Sequence, residues 1–131
     1  MSTPNPYKQA SVNTAPPSRL VIMLFDGLLR FMSEADLALQ ERENEKAHRA
    51  LIRAQDIILE LRSTLNREIA PELCDSLHNL YTFFYEKLIE ANRTKSGKPL
   101  AEITGMVREL RNSFQQAEQQ LLAAREGAEC V

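Results

Sequence analysis

Two histidines follow a carboxylate at a spacing that could do chemistry: Glu45-Lys46-Ala47-His48 and Asp75-Ser76-Leu77-His78. Paired Glu-x-x-His turns on facing helices can hold a di-iron centre. Here the register argues against it. If the two segments form an antiparallel hairpin, the position opposite His48 is near Glu90, about twelve residues from His78. At 1.5 Å per residue the two imidazoles are then roughly 18 Å apart along the axis and cannot share metal ions. A bundle histidine can also carry a phosphoryl group, as in histidine phosphotransfer domains, where a lysine and a small residue follow at fixed offsets. The corresponding positions are Leu51 and Ile52 after His48, and Tyr81 and Thr82 after His78. Neither set supplies the cation or the access. Both histidines read as surface residues, and the pairs Glu41/Glu45 and Glu68/Glu72 as solvated carboxylates.

Other catalytic patterns are missing as well. Gly27, Gly97, Gly105 and Gly127 are isolated, so no glycine-rich loop cradles a phosphate. No CxxC, no HExxH and no serine in a nucleophile-elbow context occurs. The expectation is a protein that is not an enzyme, with no cofactor and no bound metal.

The elements that must position any site are marked by proline. Pro4, Pro6, Pro16 and Pro17 precede residue 18, and the other two are Pro71 and Pro99. A proline in the first helical turn gives up an N–H that has no intrahelical partner anyway, so Pro17, Pro71 and Pro99 read as helix starts. A further break at Glu41-Arg42-Glu43-Asn44, with Asn44 as N-cap, divides the long stretch after Pro17. The spacing predicts helices near 17–41, 44–66, 71–94 and 99–126. Apolar residues recur every three or four positions in each, for example Ile103, Val107, Leu110, Phe114, Ala117 and Leu121. Helices of about 23 residues run roughly 35 Å, and short connections make sequential helices antiparallel neighbours. The predicted fold is all-α, an antiparallel up-down four-helix bundle over 17–126. A Pro-, Ser-, Thr- and Asn-rich arm (1–16) precedes it, and a frayed tail (127–131) follows. The arm has only Tyr7 and Val12 as sizeable apolar groups. They either belong to a flexible tail or plug an apolar groove.

With 131 residues the chain is one domain, large enough to fold without disulfides or a structural metal. Sixteen Lys and Arg against eighteen Asp and Glu leave a net charge of −2, a poor footprint for binding nucleic acid. Cys74 and Cys130 are too few for a disulfide framework, which fits a reducing cytosol. The longest apolar run, Leu20 to Phe25, is far short of the roughly twenty residues a membrane span needs, so no membrane insertion is expected.

Apolar side chains exceed what one core needs. Helix 1 adds Val21, Ile22, Met23, Phe25, Leu29, Met32 and Leu37 to its stripe of Leu20, Leu24, Leu28, Phe31 and Ala35. Helix 2 adds Ile52, Ile57 and Leu59, and helix 3 adds Phe83, Tyr85 and Ile89. Such a surplus suggests a groove that receives another helix, or a dimer face.

The run Thr14-Ala15-Pro16-Pro17-Ser18-Arg19-Leu20-Val21-Ile22-Met23-Leu24-Phe25-Asp26-Gly27 resembles the opening helix of the flagellar secretion chaperones, the FliS family. Tyr7 and Val12 fall where that family's arm has a tyrosine and a valine. Leu51-Ile52-Arg53-Ala54-Gln55-Asp56-Ile57-Ile58 with Glu60-Leu61 is similar to its second-helix signature. Leu77, Leu80, Tyr81 and Leu88-Ile89-Glu90-Ala91-Asn92 are similar to its third. The likeness covers about residues 7–121. Phe25 replaces the family's usual tyrosine, and Pro16 its usual capping serine.

The resemblance implies a cytoplasmic chaperone, working without ATP, whose partners are the disordered C-terminal segment of flagellin and a component of the flagellar type III export gate. Homodimerisation is a further possibility, and so is a dimerising adaptor without an export client. The client folds into helices around the bundle, which blocks premature polymerisation. The residues expected to bind it are Tyr7, Val12, Ile52, Gln55, Asp56, Ile57, Leu59 and Phe83. In this reading Tyr7 and Val12 cover surface that Ile52, Ile57 and Leu59 help to form until the client displaces them.

Overall fold

The computed structural model describes residues 17–129; Tyr7, Val12 and Cys130 lie outside the described residues. Among these, four helices follow one another: α1 (Pro17–Gln40), α2 (Asn44–Ser63), α3 (Pro71–Thr94) and α4 (Lys98–Glu129). Each packs against its sequence neighbours, and α4 closes the ring against α1. The fold is therefore the predicted all-α four-helix bundle.

Two helix starts follow the proline rule and the boundaries shift by a few residues. Pro71 is the first residue of α3, whereas α4 opens one residue before Pro99, at Lys98. The N-cap of α2 is Glu43, not Asn44, and it makes no side-chain capping bond. α2 ends at Ser63 because Ser63 and Thr64 turn their hydroxyls back onto the carbonyls of Glu60 and Leu61, competing with helix continuation. Leu65 then packs on the core from the connecting segment. α4 runs on to Glu129, past the expected limit at 126.

The turns use left-handed residues other than glycine. Arg42 has φ 58°, and around it Glu43 N–H donates to Ala38 O at 2.8 Å and Arg42 N–H to Leu39 O at 3.2 Å. Those two bonds form a Schellman ending for α1. Lys95, with φ 53° and ψ 42°, ends α3 in the same left-handed conformation, its N–H donating to Ala91 O. Gly97 has no positive φ. Its value is space, since a Cβ there would stand 2.6 Å from Asp36 Oδ1 of α1.

Phe25, fully buried, sits among α1, α3 and α4, its ring 6.2 Å from that of Tyr81 and 5.5 Å from that of Phe114. A tyrosine hydroxyl at this position would need a partner inside the core, so the departure from the family pattern removes a demand. Most of the apolar surplus on α1 also turns inward. Ile22, Phe25 and Met32 are core residues, and Val21 and Leu29 pack at its margin; only Met23 and Leu37 are exposed.

At the bundle end where α1 begins, Arg19 reaches Glu118 of α4 at 3.1 Å. Glu118 is 6% exposed, and its Oε2 has no hydrogen-bond partner among the described residues. The carboxylate thus depends on one half-exposed guanidinium. Arg19→Ala, which strands the charge, is expected to cost about 1–2 kcal/mol in denaturant unfolding, and Glu118→Leu in that background to recover most of it. Tyr81 makes a second prediction. Burial, reinforced by the nearby Cys74 thiol, pushes its phenol from 10.0 up to about 12. The folded state therefore holds a proton that the unfolded chain releases first. This contribution is intact below pH 10 and is lost as pH climbs towards 12, at about 1.4 kcal/mol per pH unit. Tyr81→Phe should flatten that alkaline slope in melting curves.

Candidate functional site

α2 presents His48, Ile52, Gln55 and Leu59 at intervals of four, three and four, which lines them up along one side of the helix. α3 runs antiparallel beside it. Its register is set where Asn92 Nδ2 donates to His48 Nδ1 at 2.9 Å. His48, Ile52 and Gln55 then face Ile89, Asn92, Arg93 and Lys95 across a shallow groove of about 350 Å³. Gln55, 8% exposed, forms its floor. Ile52 and Ile89 remain 38% and 42% exposed, and Leu59, one turn further along, 44%. Apolar groups half-open to water beside a buried polar floor favour an occupant with its own apolar face.

The groove ends in positive charge. Its neighbouring hollow is lined by Asn44, Glu45, His48, Arg49 and Lys95. The Lys95 ammonium bonds Asn92 Oδ1. Among the described residues Arg49, Arg93 and Lys95 form no ion pair.

The expected site residues divide among three places. Ile52 and Gln55 come together in the groove, Leu59 is exposed one turn beyond Gln55 on the same side of α2, and Asp56 is exposed on the outer face of that helix. Ile57 does not join them. It is half-buried on the opposite flank, against α1, where a Cβ on Gly27 would lie only 3.2 Å from Ile57 Cδ1. Five residues along an α-helix rotate the side chain by about 500°, so Ile52 and Ile57 point to different neighbours. Phe83 is also elsewhere. Lys87 lies over its ring at 5.7 Å and bonds Glu102 of α4 at 2.7 Å, placing Phe83 on the α3–α4 flank. That bond holds Lys87 above its usual range and Glu102 below its own. One turn back along α3 and one turn onward along the antiparallel α4, Phe83 and the 40%-exposed Met106 reach the same level of that flank.

Sequence reasoning missed Asn92, Arg93 and Lys95, and counted Ile89 only as surplus. The hairpin register could have found them, but pairing His48 with Glu90 was two residues off. His78 is exposed on α3, far from the His48–Asn92 contact. Among the described residues no group of three or more His, Cys, Asp or Glu side chains converges to hold a metal ion. No helix among them is long and apolar enough to cross a membrane.

Comparison with known proteins points one way. The family described as Flagellar protein FliS matches residues 1–121. The chain is 40% identical over 131 residues to the flagellar secretion chaperone FliS of Bacillus subtilis (strain 168), covering 98% of this chain and 97% of that protein. It is 28% identical to the flagellar secretion chaperone FliS of Vibrio cholerae over 114 residues, 84% of each chain. The Escherichia coli (strain K12) protein of the same name is 28% identical over 110 residues, 83% of this chain and 81% of that one.

The division between Ile57 and Ile52 has a measurable consequence. Ile57→Ala removes packing against α1 and is expected to cost about 1–3 kcal/mol in urea unfolding. Ile52→Ala, at the open groove, should stay within about 0.5–1 kcal/mol of the unmodified chain.

Proposed function

This chain belongs to the FliS family of flagellar secretion chaperones, and we propose that it receives the disordered C-terminal segment of flagellin along the α2–α3 groove. It is a chaperone and not an enzyme. The observation that carries the groove reading is the pair Ile52 and Ile89, half-exposed on two helices and lining one groove, with the exposed Leu59 continuing the same side of α2 beyond it. A client that folds into amphipathic turns there covers apolar surface of the bundle and of its own.

The magnitudes fit a carrier that must also let go. Fully burying one such side chain is worth about 1.5–3 kcal/mol, so the two-fifths left open on each of the three leaves about 1 kcal/mol apiece. Ordering a disordered segment costs about 2–5 kcal/mol or more. Three such side chains, together about 3 kcal/mol, do no more than offset that cost, so one groove alone gives little net binding. A segment long enough to reach the Phe83–Met106 flank as well gains a second set of contacts, in keeping with a client wrapped around the bundle. Wrapped in this way it is withheld from polymerisation in the cytosol until it reaches the type III export gate. Tyr7 and Val12 of the 1–16 arm, in this reading, cover part of the groove until the client arrives.

Calorimetric titration with a flagellin C-terminal segment tests the proposal. Ile52→Asp with Ile89→Asp should lower affinity at least about tenfold at unchanged melting temperature, while Leu37→Asp on α1 should not. Equal affinity for all three proteins would remove the groove from the mechanism. Light scattering with and without the segment separates client capture from self-association. Deleting residues 1–14 should raise client affinity and speed hydrogen exchange in α2; if neither changes, the arm has no part in it.

A further inference from the structure

From the charge at one end of the groove we infer that the chaperone selects for an acidic turn in its client: a carboxylate side chain three or four residues from an apolar anchor on the client helix. The inference rests on the groove reading of the preceding section and adds the chemistry that recognises the occupant and sets its position.

The same groove that carries Ile52 and Ile89 is lined at its end by Arg93 and Lys95 of α3, and the adjoining hollow by Arg49 and again Lys95. Arg49 stands one turn before Ile52 on α2, and Arg93 one turn after Ile89 on α3. The two helices thus bring two apolar side chains and three cations into one short stretch of surface. Elsewhere the cations are of two kinds: Arg42, Arg62, Lys98, Arg108 and Arg125 also form no ion pair among the described residues but line neither hollow, and the other described ones are engaged. Arg19, Lys46, Arg67, Lys87 and Arg111 have carboxylate partners, and Arg30 and Arg53 lie over the Phe31 ring. At the groove end Arg49, Arg93 and Lys95 form no ion pair among the described residues, and the one carboxylate lining the hollow is Glu45. Asp56 lies further along α2, on its outer face.

A free anion would find no reason for the apolar pair, and a purely apolar helix would find none for the three cations. An amphipathic helix with both features satisfies the whole surface. On such a helix, positions three or four apart lie on one face about 5–6 Å apart, matching the single turn that separates Ile52 from Arg49 and Ile89 from Arg93. Charges at a solvent-exposed rim act mainly on encounter rate and register, with modest gains in affinity. They therefore position the client along the groove, and the apolar contacts hold it.

The test uses the full chain and a flagellin C-terminal segment. The variant carries Arg49→Gln, Arg93→Gln and Lys95→Gln, all removed from the core, with its fold checked by thermal melting. At low salt it should bind about tenfold more weakly, chiefly through slower association, and at high salt the two proteins should converge. Neutralising each client Asp or Glu in turn, to Asn or Gln, should reveal one acidic turn. Its loss weakens binding to the unmodified chain about two- to fivefold per charge and leaves binding to the triple variant unchanged. Identical affinity and salt response in the two proteins, or no client position coupled to the three cations, overturns the inference. If that happens while Ile52→Asp with Ile89→Asp still abolishes binding, the groove reading stands without it. An unmodified chain that takes up no segment at all overturns both.

Discussion

The close approach of α1 and α2 at Gly27 decides which side of α2 is inside. Without a Cβ on Gly27, the tip of Ile57 fits into the contact, and α2 is held with Ala47, Leu51, Ala54, Ile58 and Leu61 turned to the core. Its remaining apolar side chains, Ile52 and Leu59, then have no place except the flank that meets α3. The groove is thus a consequence of how tightly two other surfaces meet. A bulkier residue at 27 would need Ile57 or the whole helix to shift, and the flank would turn with it.

The second constraint is the hydrogen bond between Asn92 and His48. It ties the end of α3 to the start of α2 across 44 residues of chain. Lys95 is held beside it by its own bond to Asn92 and by the left-handed ending of α3. One small polar cluster therefore fixes the register of the hairpin and places the basic groove end relative to Ile52 and Ile89. His48 thus has a structural contact of its own, its Nδ1 accepting from Asn92 Nδ2.

The bundle leaves apolar surface on two flanks while burying a complete core. On the α3–α4 side, the Lys87 ammonium lies over the Phe83 ring and bonds Glu102. The two flanks share α3, which brings Ile89 to one and Phe83 to the other. A partner that engages both must pass around that helix, which suits an extended, initially unfolded segment better than a rigid body.

Composition, proline placement and the three-four spacing settled the class, the number of helices and their approximate limits, because these depend on local backbone preference and on one apolar stripe per helix. The motif runs from Thr14 to Gly27 and from Leu51 to Leu61 were enough to suggest the family. Finer features needed the folded chain. Arg42 and Lys95 take left-handed turns with no glycine to announce them, and Gly97, in the α3–α4 connection, gives room to the Asp36 carboxylate without a positive φ. Ile52, Ile57 and Leu59 read alike as surplus, since successive helical positions differ by only about 100° and core and flank stripes overlap. Contact with Gly27 half-buries Ile57 against α1, while Ile52 and Leu59 stay exposed. Neighbours distant in sequence impose that choice, so it is made only when the helices meet.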